Sequence, residues 1–239
     1  MTSRKEISRR HGDLLAVPAA DFELAIWVGI DTVNMRVACG SDPVIYHNYP
    51  KHVVLDLETT GTEAGCGILT IGAVTLDLKH QFYVRVVRGC DGDDGLVDSE
   101  ATMLWWSKQS TVTYDEAFNS TYRRFDLRDA LTGFASFLEE CGATALVGNG
   151  VSFDNVIIRH AIDKLGIAMP AGFDTRKDFC YRTAKKMLPW IPAPEFHGIP
   201  HHALYDALHE ARHLNLILNE LDLNLILNEL ADIAAENEE

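Results

Sequence analysis

Cysteine is scarce and unpaired in this chain. Cys39, Cys66, Cys90, Cys141 and Cys180 form no CxxC motif and are odd in number, which argues against a disulfide framework or a zinc knuckle and for a reducing compartment. Cationic side chains are also in short supply, with 21 Lys and Arg against 35 Asp and Glu and a net charge of −14. That balance argues against broad adhesion to nucleic acid, which comes from neutralising phosphates with Lys and Arg. Long apolar runs are missing from residues 1–50, where "LLAVPAA" and "LAIWVGI" are seven residues each and are separated by Asp21 and Glu23. Neither is long enough to span a bilayer. "SRKEISRRH" ahead of "LLAVPAA" imitates a signal peptide, but Gly12 and Asp13 interrupt it and the apolar part is at the minimum length. We expect a cytoplasmic protein with no membrane partner.

What is present is ordinary globular composition, 47% apolar and 23% charged over 239 residues, enough for one core with appendages. Residues 1–50 share no pattern with the remainder of the chain. "VACGSDPVIYHNYPKH" reads as loop from its Gly, Pro, Asn and Ser, and Met35 would also start a chain containing every chemically informative motif. From Lys51 the order is legible. A strand over 53–58 is followed by "ILTIGAVTLD" and "QFYVRVV", β-branched runs joined by "LKH", as in an antiparallel meander. Helical signals come next in "SEATMLWWSK", in a capping box at Thr113 and Glu116, and in "DALTGFASFLEE". "ATALVGN" reads as a short buried strand leading into a helix over 154–166, which sets Ile157, Ile158, Ala161, Ile162 and Leu165 on one stripe. Strands first, then alternation, specify an α/β fold with a mixed sheet flanked by helices.

The C-terminus holds a duplication, "LNLILNEL" at 214–221 and again at 223–230. At about 100° per residue a period of nine amounts to two and a half turns, so equivalent side chains face opposite ways on a continuous helix. Three outcomes are open: the second copy packs on a partner chain, the helix breaks, or the duplication carries no function. A helix over 203–235 would be roughly 50 Å long.

The chemistry begins in "HVVLDLETTGTE", residues 52–63. On a strand Val53, Leu55 and Leu57 point one way and Val54, Asp56 and Glu58 the other. Two carboxylates that close repel unless a cation, usually a divalent metal, sits between them; a wet edge strand would also tolerate them. Further acids bear on the choice. Asp154 in "GNGVSFDNVIIRH" opens a helix on its buried face, although an acid there also caps well. "GIPHHALYDALHEARH" supplies Asp206 with His201 and His202 just before it. "TRKDFCYRTAKK" concentrates Arg176, Lys177, Arg182, Lys185 and Lys186 in an otherwise acidic chain, either as a solvated helix face or as a basic patch.

"LDLETTG", "GNGVSFDN" and "HHALYDA", in that order, resemble the three sequence blocks of the DEDDh 3′-to-5′ exonucleases of the ribonuclease H-like superfamily. The tryptophan pair in "TMLWWSKQS" and the segment "CYRTAKKMLP" are most similar to short phage-type exonucleases related to exonuclease A and to ribonuclease T-like exoribonucleases. The resemblance covers residues 51–222, leaving 1–50 as an extension and 223–239 as a duplicated helical, acidic tail. It implies a ribonuclease H-like fold and a metal-dependent exonuclease that acts on the 3′ end of single-stranded RNA or DNA and releases nucleoside 5′-monophosphates. It also implies that Asp56, Glu58, Asp154 and Asp206 hold two divalent ions, Mg²⁺ or Mn²⁺, which suits oxygen-ligand chemistry and a two-metal displacement at phosphorus.

His201 satisfies the family's HxxxxD spacing to Asp206 and would be the general base. His202, at i and i+4 with Asp206, is its rival on helix geometry, and His201 serves only if the helix starts after it. Substrate contacts are expected from Thr59, Thr60, Gly61, Arg182 and Lys185, and from one of Trp105 and Trp106, of which Trp106 is the expected one. Base stacking on such a ring contributes ~1 to 3 kcal/mol. Relatives are often dimers, so a homodimer is an expected partner arrangement. A catalytically silent nucleic-acid- or partner-binding module and a polymerase proofreading subunit are the competing readings.

Overall fold

The computed structural model describes residues 30–31, 36–39, 42–45, 51–88 and 96–236, with side chains described between 51 and 222. Ahead of the main sheet, β1 (Ile30–Asp31), β2 (Arg36–Cys39) and β3 (Asp42–Ile45) form a small antiparallel sheet in that order. Part of the stretch expected to be loop is therefore paired. Cys39 lies opposite Asp42, so the pairing reaches the ends of both short strands, which overall composition hides.

The main sheet is built from β4 (His52–Thr59), β5 (Ile68–Thr75), β6 (Gln81–Arg85), β7 (Ala145–Gly148) and β8 (Phe179–Cys180), in the order β6-β5-β4-β7-β8. β4 to β6 are the expected antiparallel meander, and β7 and β8 extend the sheet in parallel on the other side of β4. The helices are α1 (Glu100–Trp106), α2 (Thr111–Phe118), α3 (Leu127–Glu140), α4 (Asp154–Leu165), α5 (Tyr181–Met187) and α6 (Ala203–Glu236). A mixed sheet flanked by helices, in this order, is a ribonuclease H-like α/β fold.

β4 is central, not an edge, because it pairs with β5 on one side and β7 on the other, and both of its faces are buried. Val53, Leu55 and Leu57 enter one core with Leu131, Phe134 and Leu138 of α3 and Ile157, Ile158 and Ile162 of α4. Val54 enters a second core with Tyr181 and Ala184 of α5 and Ala203, Leu204, Ala207 and Ala211 of α6. Burying each large aliphatic chain contributes about 1.5 to 3 kcal/mol, so these two layers fix β4 and both helices that approach its carboxyl end. A third cluster, Leu69, Trp106 and Ala117, seats α1 and α2.

Helix starts differ from expectation in one place. The cap of α2 is Ser110, which accepts from the Thr113 amide, and Glu116 turns inward instead of closing a capping box. α6 runs unbroken through both copies of the duplicated octet, which removes the broken-helix outcome. The first copy buries Leu214, Ile217 and Leu218, and Asn215 donates to the Leu76 carbonyl at 2.8 Å. The side chains of the second copy lie outside the described residues. No helix among the described residues is long and apolar enough to cross a membrane.

Candidate active site

Asp56 and Glu58 leave β4 on the face that Val54 shares with α6. Pairing with β5 shifts register between Glu58 and Thr59, a bulge of the kind that re-aims side chains at the end of a strand. Opposite Asp56 stands Gly72, and its lack of a side chain has a clear use. A Cβ there would lie 2.1 Å from the Ala203 carbonyl carbon and 2.2 Å from the Leu204 nitrogen, so only glycine lets the start of α6 press against the sheet beside the first acid. Gly148, the last residue of β7, does the same for α4: a Cβ would meet the Asn155 Oδ1 at 2.2 Å and the Asp154 Cβ at 3.2 Å.

These two close approaches bring the distant acids in. Asp154 is buried and accepts a hydrogen bond from the Leu57 amide at 3.2 Å, between the two acids of β4. It does not cap its helix, whose N-cap is Phe153 with no side-chain cap bond. Asp206 lies in the first turn of α6, and one carboxyl oxygen is buried without a hydrogen-bond partner. Donor atoms of Glu58, Asp206 and His201 all lie within 4.8 Å of one another.

The electrostatics agree with the geometry. Burial, then repulsion from Asp154, Glu58, Glu210 and Asp206, holds Asp56 well above the usual carboxylate range. Glu58 is raised likewise, by burial and then by Asp206 and Asp154. Burial pushes Asp154 up to about 7, against hydrogen bonds from Leu57, its own amide and Asn149 and the charge of Arg182. Burial raises Asp206 to about 6, against backbone hydrogen bonds from His202 and His201. Glu210 belongs to the same group: it is buried, one turn beyond Asp206, and its field reaches Asp56.

Buried carboxylates that repel one another, with an orphaned oxygen on Asp206, fit a hard divalent cation bound through oxygen. Among the described residues, Glu58, Asp206 and His201 have donor atoms close enough together to share one.

The two histidines separate cleanly. α6 begins at Ala203, so His201 sits in the preceding loop at φ 59°, solvent-accessible and beside Glu58 and Asp206. Burial lowers its pKa. His202 is buried elsewhere, stacked on Tyr83 at 4.3 Å with its Nε2 3.7 Å from Glu116. Glu116 accepts from Tyr83 and is bridged twice by Arg85, at 2.6 and 3.0 Å. Burial opposes its charge, but the Arg85 and Tyr83 hydrogen bonds prevail and its pKa is lowered. Thr113 adds a hydrogen bond to the Pro200 carbonyl at 3.2 Å. This network anchors the loop that presents His201.

The expected substrate contacts divide. Trp106 is 1% exposed, and its indole N–H donates to the Thr59 carbonyl at 2.8 Å, so it braces the turn after Glu58 and is not placed to stack a base. Trp105 is 41% exposed and meets His201 edge-on at 4.9 Å. Adjacent helical residues point about 100° apart, and the burial of α1 decides which ring stays free. Thr59, Thr60 and Gly61 are buried. The Thr59 hydroxyl donates to the Gly61 carbonyl at 2.7 Å, and the Thr60 hydroxyl accepts from the Gly67 amide at 3.0 Å. Their side chains hold the turn and do not face an open surface.

Arg182 and Lys185, a turn apart on α5, are exposed and act on Asp154 and Glu210 respectively. Arg176 of the same basic segment is bound to Asp174. Glu210 was not singled out by the sequence reading, and Glu116 only as a helix cap; the i, i+4 spacing of Asp206 and Glu210 offered a sign of the first.

A ribonuclease H-like sheet whose central strand carries buried acids, with Asp154 of α4 hydrogen-bonded to that strand and Asp206 of α6 beside Glu58, defines the class of this protein. Residues 51–218 match the family model described as the 3′-5′ exoribonuclease Rv2179c-like domain, and the chain belongs to that family, one of 3′-5′ exonucleases acting on nucleic acid. No curated protein matches the chain.

Proposed function

We propose that this chain is a DEDDh-type 3′-to-5′ exonuclease, of the short phage-type and ribonuclease T-like kind. Residues 51–222 are its catalytic unit, and it hydrolyses single-stranded RNA from the 3′ end to nucleoside 5′-monophosphates. One observation carries the reading: donor atoms of Glu58, Asp206 and His201 lie within 4.8 Å of one another, with Asp154 tethered to the strand between Asp56 and Glu58. Two divalent ions, Mg²⁺ or Mn²⁺, held by Asp56, Glu58, Asp154 and Asp206 would supply Lewis-acid stabilisation of the attacking and departing oxygens.

The chain's own residues account for the rest. His201 takes the proton from the attacking water; burial depresses its pKa, so it is neutral and able to accept. The Glu116, Tyr83 and His202 network keeps its loop in place. Arg182 and Lys185 attract the phosphate backbone to the mouth of an otherwise acidic site. Trp105 offers a face to the terminal bases. Free Cys66, Cys141 and Cys180 suit a cytoplasmic setting.

The test is to incubate 3′-labelled and 5′-labelled RNA and DNA strands with Mg²⁺, Mn²⁺ or EDTA, alongside Asp56→Ala. The reading expects shortening from the 3′ end of RNA by the wild type in metal only, with 5′-monophosphates released. Metal-independent cleavage, or equal activity of Asp56→Ala, overturns it. Equal trimming of DNA would broaden the substrate class.

A further inference from the structure

The fifth carboxylate is unaccounted for by the residues that define the proposed site. Glu210 lies four residues past Asp206 on α6, so both project from the same face of the helix. It is 4% exposed, a burial that acids rarely reach without a partner. Asn149 donates a hydrogen bond to its carboxylate, and its Oε2 is buried with no partner at all. The nearby Lys185 does not remove the difficulty, because that residue is exposed and its ammonium lies over the Tyr181 ring, 5.0 Å from the centroid.

A purely structural role fits poorly. An acid left with an unsatisfied buried oxygen bears its desolvation penalty uncompensated, and here it also faces the repulsion of Asp154 and Asp206. A glutamine of the same shape would accept the Asn149 hydrogen bond and escape that repulsion. The carboxylate is explained when its free oxygen meets a cation. We propose that Glu210 is a further oxygen donor to the divalent-metal centre, reaching it from α6 one turn beyond Asp206. The proposal rests on the metal-dependent reading of the site and adds a ligand to it. Its consequence is a centre in which α6 contributes two acids, making cation affinity sensitive to the seating of that one helix.

The experiment is a titration of MnCl₂ into the EDTA-stripped full chain, with free Mn²⁺ read by its electron paramagnetic resonance signal. The proteins compared are wild type, Glu210→Gln, Glu210→Asp and Asp206→Asn. Loss of a group that supports a metal typically weakens affinity about 10- to 100-fold. Glu210→Gln is expected to weaken Mn²⁺ binding at least about tenfold while the melting temperature of the metal-free protein stays level or rises. Glu210→Asp, which keeps the charge, should retain part of the affinity.

Mn²⁺ affinity of Glu210→Gln within threefold of wild type, with Asp206→Asn still impaired, overturns this inference and leaves the exonuclease reading standing. Absence of Mn²⁺ binding by the wild type overturns both. Should Glu210→Gln fail to fold, the Asp206→Asn and Glu210→Asp pair carries the decision: affinity of Glu210→Asp equal to wild type, despite a carboxylate withdrawn by one methylene, counts against a direct donor.

Discussion

At the scale of single residues, neighbours in sequence have opposite fates, and that makes the roles separable. His201 and His202 are adjacent, yet one stands beside Glu58 and Asp206 and the other beside Glu116. Removing a general base costs about 10²- to 10⁴-fold in rate, so His201→Ala should lose that much in single-turnover cleavage of a 3′-labelled RNA while its melting curve barely moves. His202→Ala should do the reverse, lowering stability by about 1 to 3 kcal/mol through the unsatisfied Glu116 network and keeping most of the chemical rate. Equal rate losses in the two variants would remove His201 from its role. Trp105 and Trp106 give the second pair. Trp105→Ala should weaken RNA binding by ~1 to 3 kcal/mol without loss of stability, whereas Trp106→Ala should cost about 3 to 5 kcal/mol of stability. Filter binding and denaturant melts on both variants distinguish these outcomes. The sequence alone offered the pair and favoured Trp106, because both rings lie on one helix and only packing against Leu69 and Ala117 decides which is swallowed.

At the scale of elements, β4 and the rest of the meander were readable from their β-branched runs, and α4 from its apolar stripe behind Asp154. β8 and α5 were not: β8 is two residues long, with no period to detect, and it exists only because β7 offers an edge to pair with. The β2–β3 pairing was hidden in the same way by loop-like composition. The four proposed acids were picked out through motif spacing, but the close approach of α4 and α6 to the sheet was not legible, since it lies in two glycines whose importance depends on what passes over them. Gly72→Ala tests this. Its methyl would have to displace the Ala203 backbone, an overpacking that costs about 1 to 3 kcal/mol. A shift of about 1 Å at reacting groups can cost 10²-fold in rate. We expect lower stability together with a rate loss of that order, measured by denaturant unfolding and single-turnover cleavage. Unchanged activity would show that the position of α6 against β5 does not set Asp206.

At the scale of the whole molecule, a chain of net charge −14 concentrates five carboxylates in one buried place, and its stability should report the fact through pH. Asp154 is raised to about 7 and Asp206 to about 6, with Asp56, Glu58 and Glu210 shifted the same way. A carboxyl whose folded pKa exceeds its unfolded value binds more protons when folded, so its contribution is full below the unfolded pKa and is lost as pH rises through the folded one. Glu116 has the opposite sign, but its lowered pKa confines its effect to acid below the ordinary carboxylate range; His201 and His209, lowered by burial, also oppose the trend but are two groups against five. Between about pH 4.5 and 7.5, roughly the span from ordinary to raised carboxylates, the metal-free protein should therefore lose stability as pH increases. A divalent cation binds the ionised acids and so competes with those same protons; at a hundred times its Kd it stabilises by about 2.7 kcal/mol. The gap between melting temperatures in Mn²⁺ and in EDTA should accordingly widen from pH 5.5 to pH 8, and Asp154→Asn should flatten the EDTA curve by removing one of the repelling charges. If instead the EDTA curve climbs with pH over that window, or the Mn²⁺ gap is independent of it, the acids are not a mutually repelling cation site and the exonuclease mechanism proposed for them fails.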